Sequence, residues 1–317
     1  MAGINGAKIT YNHSRLLNTT ELYQTLVLFA KLLDLSYADG LMKYLCAPLY
    51  YRYIRQLMQT LISCAYTYVY NATHTQSFSD RLAQREAKKF HATNLSISDG
   101  LEKLNTAYMT LYKRPFNFES DSIHHLLFAC LSLNPSITRI LEIGTFTGDT
   151  TALMAMLFDS ATISTVDLPN DDPILTQTYD RADSEKLAAF LKKQTANTTH
   201  DRIVPYKHNS FFLMDHFSPH SFDLVWVDGG HHYPEIAWDT CQAYHLTKPG
   251  GYVLFDDVLS LQTDWRRDTV STDSYRTLAY LADRLTTPIT YFLKRRNPLN
   301  TVIKTNRDWI ALLQKQT

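Results

Sequence analysis

Three aspartates stand where an α/β chain gathers its chemistry. FDLVWVDGG (222–230) stays largely apolar until Asp228, and KPGGYVLFDDV (248–258) ends in Asp256 and Asp257. A strand buried on both faces reads as such a near-continuous apolar run, so each acid marks a carboxyl-terminal strand tip. Neighbouring strands lie about 5 Å apart, which brings carboxylates on adjacent tips to one spot. Carboxylates that close repel unless a positive charge sits among them. An all-oxygen donor set selects a hard cation, so Asp228, Asp256 and Asp257 are expected to hold Mg2+. The plainer alternative is that these acids cap helices or pair with Arg266 and Arg267 downstream.

Behind Asp228 run Gly229, Gly230, His231 and His232. A neutral imidazole at the mouth of a sheet can take a proton from a hydroxyl, since His titrates near neutrality. A metal bound to the same oxygen would lower its pKa and share that work. His231 is favoured over His232, whose side chain should point the other way; the plain alternative for either is a solvated surface His. Zinc loses, because no Cys lies nearby and the chain has no C-x-x-C pair.

A third stretch, RILEIGTFTG (139–148), reads as an apolar strand, a tight turn and the start of a helix. Glycines let the chain turn there and leave room for a ligand against the backbone. In a parallel sheet that ligand sits at the carboxyl ends of the strands. A dinucleotide fingerprint needs G-x-G-x-x-G. Here there are two glycines, Gly144 and Gly148, and Glu142 stands two places before the first. A carboxylate would repel a pyrophosphate but suits a ligand carrying an ammonium group. ATISTVDL (161–168) then ends in Asp167 and Leu168, an acid placed to accept both hydroxyls of a ribose. RIVPYKHNS (202–210) ends in Asn209 and Ser210, beside the base of such a ligand.

These segments must be held by a sheet. Strands are expected at 139–144, 161–168, 202–210, 222–230 and 248–258, alternating with helices. A helix at 274–285 precedes ITYFLKRR (289–296) and NTVIKTN (300–306), which read as a closing hairpin. Alternating strands and helices mean a doubly wound α/β domain, here a seven-stranded Rossmann-like sheet. The stretch from Pro169 to Asp201 exceeds a minimal crossover. It reads as an acidic loop and a helix from about Ser184, which is either a lid offering Tyr179 and Arg181 to a substrate or a surface insertion.

The pattern E-x-G-x-x-x-G resembles motif I of the class I S-adenosylmethionine-dependent methyltransferases. VDGGHHYPE, the KPGGY turn and the FDD pair narrow that resemblance to the metal-dependent O-methyltransferase branch, of macrocin O-methyltransferase type. It spans about residues 120–310 and is specific in its combination of motifs. It implies Asp228, Asp256 and Asp257 as Mg2+ ligands and His231 as base. Glu142, Gly144, Gly148 and Asp167 would bind S-adenosylmethionine, with Thr145, Leu168, Asn209, Ser210 and Asp228 lining the same site. The expected reaction is methyl transfer to a hydroxyl of a small molecule, a natural-product or sugar-like acceptor. Alternatives are a metal-independent N- or C-methyltransferase with the same cofactor site, or a non-catalytic cofactor-binding partner protein. The Asp-Asp pair and Asn209 depart from commoner patterns in that branch.

The first 117 residues carry none of these motifs and read as helices at about 20–34, 48–69, 79–90 and 97–112. The chain thus divides into a helical region, 1–117, and a methyltransferase domain, 118–317. Half of the twenty tyrosines lie between Tyr11 and Tyr70. Tyr suits an acceptor pocket or a homo-oligomer interface, and equally the packing of amphipathic helices. Lys plus Arg equal Asp plus Glu at 31 each, so no basic excess favours nucleic acid. Four cysteines show no pairing pattern, and the apolar tract around 57–70 is interrupted by polar residues. The amino-terminal stretch lacks the apolar core of a signal peptide, so no membrane and a cytoplasmic location are expected.

Overall fold

A computed structural model describes residues 48–260, 271–297, 301 and 308–316, with side chains from residue 57 onward. The helix expected at 20–34, the side chains of Tyr50, Tyr51 and Tyr53, and Arg266 and Arg267 lie outside the described residues, as does most of the strand expected at 300–306.

The chain forms two compact units, Met1–Phe78 and Ser79–Thr317. In the first, α1 (Pro48–Thr73) runs four residues beyond the expected end. Its tyrosines pack locally: Tyr70 stacks on His74 at 3.9 Å between ring centroids, and Phe78 meets Tyr66 and Tyr70 edge-on. No described helix is long and apolar enough to cross a membrane.

The second unit begins at Ser79 and therefore takes in two of the helices that the sequence groups with the amino-terminal region. These are α2 (Phe78–Ala92) and α3 (Ile97–Leu111), the latter capped by Ser96. Their buried Phe90, Leu104, Ala107 and Tyr108 belong to one continuous core with Trp226 and Phe292 of the sheet. A short helix that the sequence does not announce follows, α4 (His124–Leu131), almost wholly buried.

The expected doubly wound sheet is present. Its strands are β1 (Arg139–Ile143), β2 (Thr162–Asp167), β3 (Ile203–Lys207), β4 (Phe222–Val227), β5 (Thr247–Val258), β6 (Ile289–Leu293) and β7 (Trp309–Gln314). Between them lie α5 (Asp149–Leu157), α6 (Pro173–Gln177), α7 (Ser184–Thr198), α8 (Leu213–His216), α9 (Glu235–Leu246) and α10 (Asp273–Leu285). The strand order is β3-β2-β1-β4-β5-β7-β6; β1 to β5 run parallel, and β7 is antiparallel to both its neighbours. The closing strand is thus WIALLQ (309–314) rather than the expected 300–306. Leu and Ala read as helix formers, and burial between β5 and β6 overrides that preference.

The two faces of the sheet are both covered. Phe128, Leu153 and Trp226 fill one side, and Val225, Phe255, Leu278 and Leu313 the other. The free edge of β6 is closed by α2: Leu293 donates its backbone N–H to buried Glu86 (3.0 Å), and Lys89 donates to the carbonyl of Tyr291 (2.5 Å). Occupied edge groups cannot pair with another chain. Strand order reverses between β1 and β4, which places the topological switch point at the carboxyl ends of those two strands.

Candidate functional site

At the switch point two backbones touch. Gly144 has φ +99, and a Cβ there would lie 2.1 Å from the carbonyl oxygen of Asp228. The contact is fixed by Asp228 N–H donating to Ile143 and Gly144 N–H donating to Val166. Gly148, with φ +74, opens α5, and its Cβ would press on Asn197. Glycine is required at both positions for conformation and for space.

Glu142 lies beneath this corner, fully buried. Thr151 and Thr165 donate their hydroxyls to Oε2, whereas Oε1 has no partner among the described residues. Burial pushes its carboxyl up to about 7, against the pull of the two hydroxyls. An orphaned oxygen on a buried carboxylate suits an ammonium group, the chemistry read from the sequence. Thr145 is turned inward, its hydroxyl 2.6 Å from that of Thr165, so its side chain supports Glu142 and does not face the corner.

Asp167 ends β2 as expected. Oδ1 accepts the N–H of Leu168 (2.9 Å), and Oδ2 accepts Nε2 of Gln194 (2.8 Å); each oxygen keeps capacity for a hydroxyl. Gln194 also donates to the carbonyl of Phe146 (2.7 Å), and its own oxygen accepts from Lys207. Asn197 donates to Thr147 (2.8 Å) and to Asp149 (2.9 Å). Helix α7 therefore clamps the turn between Gly144 and Gly148. Tyr179 and Arg181 also face that turn. The Arg181 guanidinium lies over Phe190 at 4.4 Å, and Tyr179 meets Phe146 edge-on. The 169–201 segment is built onto the glycine turn, which makes it more than a surface insertion.

After β3, Asn209 uses its side-chain oxygen to accept from Phe211 N–H (2.9 Å), which starts a short 3-10 turn. Ser210 turns toward α9: its carbonyl accepts from Gln242 (2.7 Å), one turn from buried Asp239 on the same helix. Burial pushes Asp239 up to about 6. The two residues expected beside a base thus first organise the β3 loop against α9.

The acids at the tips of β4 and β5 converge. His231 stands between two of them, its Nε2 3.8 Å from Oδ1 of Asp228 and 3.9 Å from Oδ2 of Asp257. These are ion-pair separations, too long for hydrogen bonds. Burial holds the His231 imidazole below its ordinary value although Asp257 and Asp256 oppose this, so the ring is neutral at pH 7. Its loop is tied to the start of α10 by Ser271 donating to the carbonyl of His231 (2.6 Å) and by Tyr233 N–H donating to Asp273 (3.1 Å). Among the described residues His232 has no side-chain hydrogen bond or ion pair, and its role as a second candidate base gains no support from them. Asp257 itself takes a left-handed backbone, φ +47, a strained conformation of the kind that clusters at functional sites.

One residue changes the reading of the acid cluster. Lys294, directly after β6, places its ammonium 2.7 Å from Oδ1 of Asp256 and 2.5 Å from Oδ1 of Asp257. Burial would lower its pKa, but Asp256, Asp257 and Asp228 outweigh that and hold it above the ordinary lysine range. Asp256 lies below the carboxylate range because Lys294 outweighs its own burial, whereas burial and the neighbouring carboxylates push Asp228 well up. The positive charge demanded by the crowded acids is thus an ammonium of the chain itself, where the sequence suggested Mg2+. The donor set does not fit that ion as the side chains stand. Two of the three carboxylates are spent on Lys294, and among the described residues no three His, Cys, Asp or Glu side chains are arranged to hold a metal.

Sequence reasoning also missed the α4 side of the site. His124 packs on Trp226, which is paired in register with Glu142, and His124 Nε2 and Trp226 Nε1 are buried without partners. His125 accepts or donates at Nδ1 with the Tyr108 hydroxyl (2.5 Å), and burial lowers it to about 4. The His-His pair at a helix start was a readable signal; Lys294 and Gln194 carried none, because only the sheet closure and α7 bring them to the site.

Residues 141–258 match a family model described as a methyltransferase domain. No curated protein matches the sequence significantly. Among solved structures, the chain is similar to the O-methyltransferase TomG of Streptomyces achromogenes, involved in tomaymycin synthesis. Identity is 17%, 76% of this chain and 100% of that one are covered, and the TM-score is 0.42. A putative caffeoyl-CoA O-methyltransferase of Staphylococcus aureus shares 14% identity over 74% and 98% of the two chains, with TM-score 0.44. An O-methyltransferase of Bacillus cereus shares 14% over 82% and 100%, with TM-score 0.40. Likenesses this distant transfer neither acceptor nor reaction to this chain.

Proposed function

We propose that the chain, whose residues 141–258 match a methyltransferase domain, is a class I S-adenosylmethionine-dependent methyltransferase that methylates a hydroxyl of a small molecule, with His231 as the base. The observation that carries this reading is the neutral, half-sealed imidazole of His231 between Asp228 and Asp257, at the mouth beside the Gly144 turn. S-adenosylmethionine would supply a methyl group on a sulfonium, with the thioether as leaving group. Glu142 would hold its ammonium through the oxygen left without a partner, and Asp167 would accept its ribose hydroxyls. His231 Nε2 takes the proton of the acceptor hydroxyl as the oxygen–methyl bond forms, and Asp257, with Asp256 behind it, stabilises the imidazolium. Most of the acceleration comes from holding hydroxyl and methyl group in line. No step is assigned to Mg2+, because Lys294 engages two of the carboxylates that would hold it.

Natural-product or sugar-like acceptors remain the proposed class, since the balanced charge of 31 against 31 gives no attraction for nucleic acid. The amino-terminal helices are proposed to select the acceptor or to pair two copies of the chain. The test is incubation with trideuteromethyl S-adenosylmethionine and a panel of hydroxylated metabolites, with products read by mass spectrometry and carbon NMR. An O-methyl product formed by the wild type and not by His231→Asn supports the reading. A label found on nitrogen or carbon sinks it.

A further inference from the structure

We infer that Lys294 is the resident counter-charge of the acid cluster, and that the methyl transfer proposed above, on which this rests, runs without a divalent cation. Three observations converge. The ammonium lies within hydrogen-bond distance of Oδ1 on both Asp256 and Asp257, and Oδ1 of Asp256 also accepts the backbone N–H of Asp257 at 2.7 Å. Mg2+ needs its oxygens at about 2.1 Å in near-octahedral array, so a cation using these atoms would stand beside a fixed positive charge.

Lys294 is also held in place. Its backbone N–H donates to Asp308 (2.9 Å) and its carbonyl accepts from Ile123 (2.9 Å). The side chain keeps only 8% of its surface exposed, so the ammonium is held against the carboxylates largely out of water. The neighbouring Arg296 N–H donates to Phe118 (2.8 Å), and its guanidinium lies over that ring at 3.9 Å, which fixes the chain on both sides of Lys294.

The third observation concerns what remains for a substrate. Asp228 and Asp257 keep 28% and 22% of their side-chain surface exposed, against 7% for Asp256. The open side of the cluster therefore offers His231 with two carboxylates, and the closed side offers Lys294. An acceptor on the open side needs one hydroxyl within reach of His231. It does not need the adjacent pair of oxygens that chelation of a metal requires.

The test uses the full chain and Mn2+ alone, read as loss of the free-ion signal in electron paramagnetic resonance. The wild type is expected to leave the signal unchanged at one equivalent, with and without S-adenosylmethionine. Lys294→Met, freed of its counter-charge, is expected to take up the ion, and Lys294→Arg, which keeps the charge, is not. Stoichiometric Mn2+ uptake by the wild type overturns the inference. So does methyl transfer that EDTA abolishes and Mg2+ restores, or a folded Lys294→Met that takes up no Mn2+. If Lys294→Met does not fold, the wild-type and arginine measurements still decide. Uptake is read without any acceptor, so its outcome is separate from the question of which atom receives the methyl group.

Discussion

The ammonium of Lys294 lies 2.7 Å from a carboxylate oxygen of Asp256, and the two side chains keep only 8% and 7% of their surface exposed. Removing one partner of a buried pair leaves the other charge uncompensated, at a cost of about 3–5 kcal/mol. Lys294→Met should destabilise the second unit by that order in denaturant titrations at pH 7, and Lys294→Arg by less. Despite its burial Asp256 is held below its ordinary 3.8, and despite its burial Lys294 is held above its ordinary 10.5. The stabilisation from the acid is therefore present above pH 3.8 and lost as pH falls through the folded value. That from the lysine is present below pH 10.5 and lost as pH rises through its folded value. A flat stability profile of the wild type at both extremes would contradict the pairing.

Glu142 tests the cofactor corner. Burial raises it from 4.5 to about 7, so the folded state holds its proton more tightly than the unfolded chain. The resulting stability is complete below pH 4.5 and lost as pH rises through 7. Glu142→Gln should remove that loss, raising stability of the ligand-free protein at pH 8 by on the order of 3 kcal/mol. The same change removes a charged partner of the ammonium and should weaken S-adenosylmethionine binding roughly 10- to 100-fold. Calorimetry on both proteins reads the two effects; a variant that binds the cofactor as tightly as the wild type would take Glu142 out of the site.

His231→Asn should lower kcat by about 100- to 10,000-fold, the usual contribution of a positioned base. Burial lowers the imidazole below 6.5, so the base is unprotonated at neutrality and is lost only as pH falls through that lower value. The wild-type kcat/KM profile should carry an acid limb below pH 6.5 that the variant lacks. Retention of the limb in His231→Asn would assign it to another group.

Gln194 bonds both Asp167 and the carbonyl of Phe146, and so couples α7 to the glycine turn. Gln194→Ala removes these two hydrogen bonds and the one its oxygen accepts from Lys207, about 1 kcal/mol each. The KM for S-adenosylmethionine should rise roughly 10-fold with little change in kcat, and amide exchange should quicken at residues 146–149. An unchanged KM would leave α7 a purely structural clamp on its own segment.

The sequence by itself determined the architecture and the convergence of the acids. Apolar runs that end in Asp167, Asp228 and the Asp256-Asp257 pair state both where strands lie and where they stop, because burial on two faces leaves polar residues only at the tips. Gly144 and Gly148 announced a close approach, and the structure supplies its partner, the backbone of Asp228. What the tertiary structure decided is the identity of the counter-charge. Lys294 follows a strand whose antiparallel partner, β7, reads weakly as a strand, and only closure of the sheet swings its ammonium onto carboxylates far earlier in the chain. The same holds for Gln194 and His124, whose roles depend on how α7 and α4 pack. Local pattern reports which residues are buried and where chains turn; which charges meet across a fold is set by long-range packing, to which no neighbouring residue bears witness.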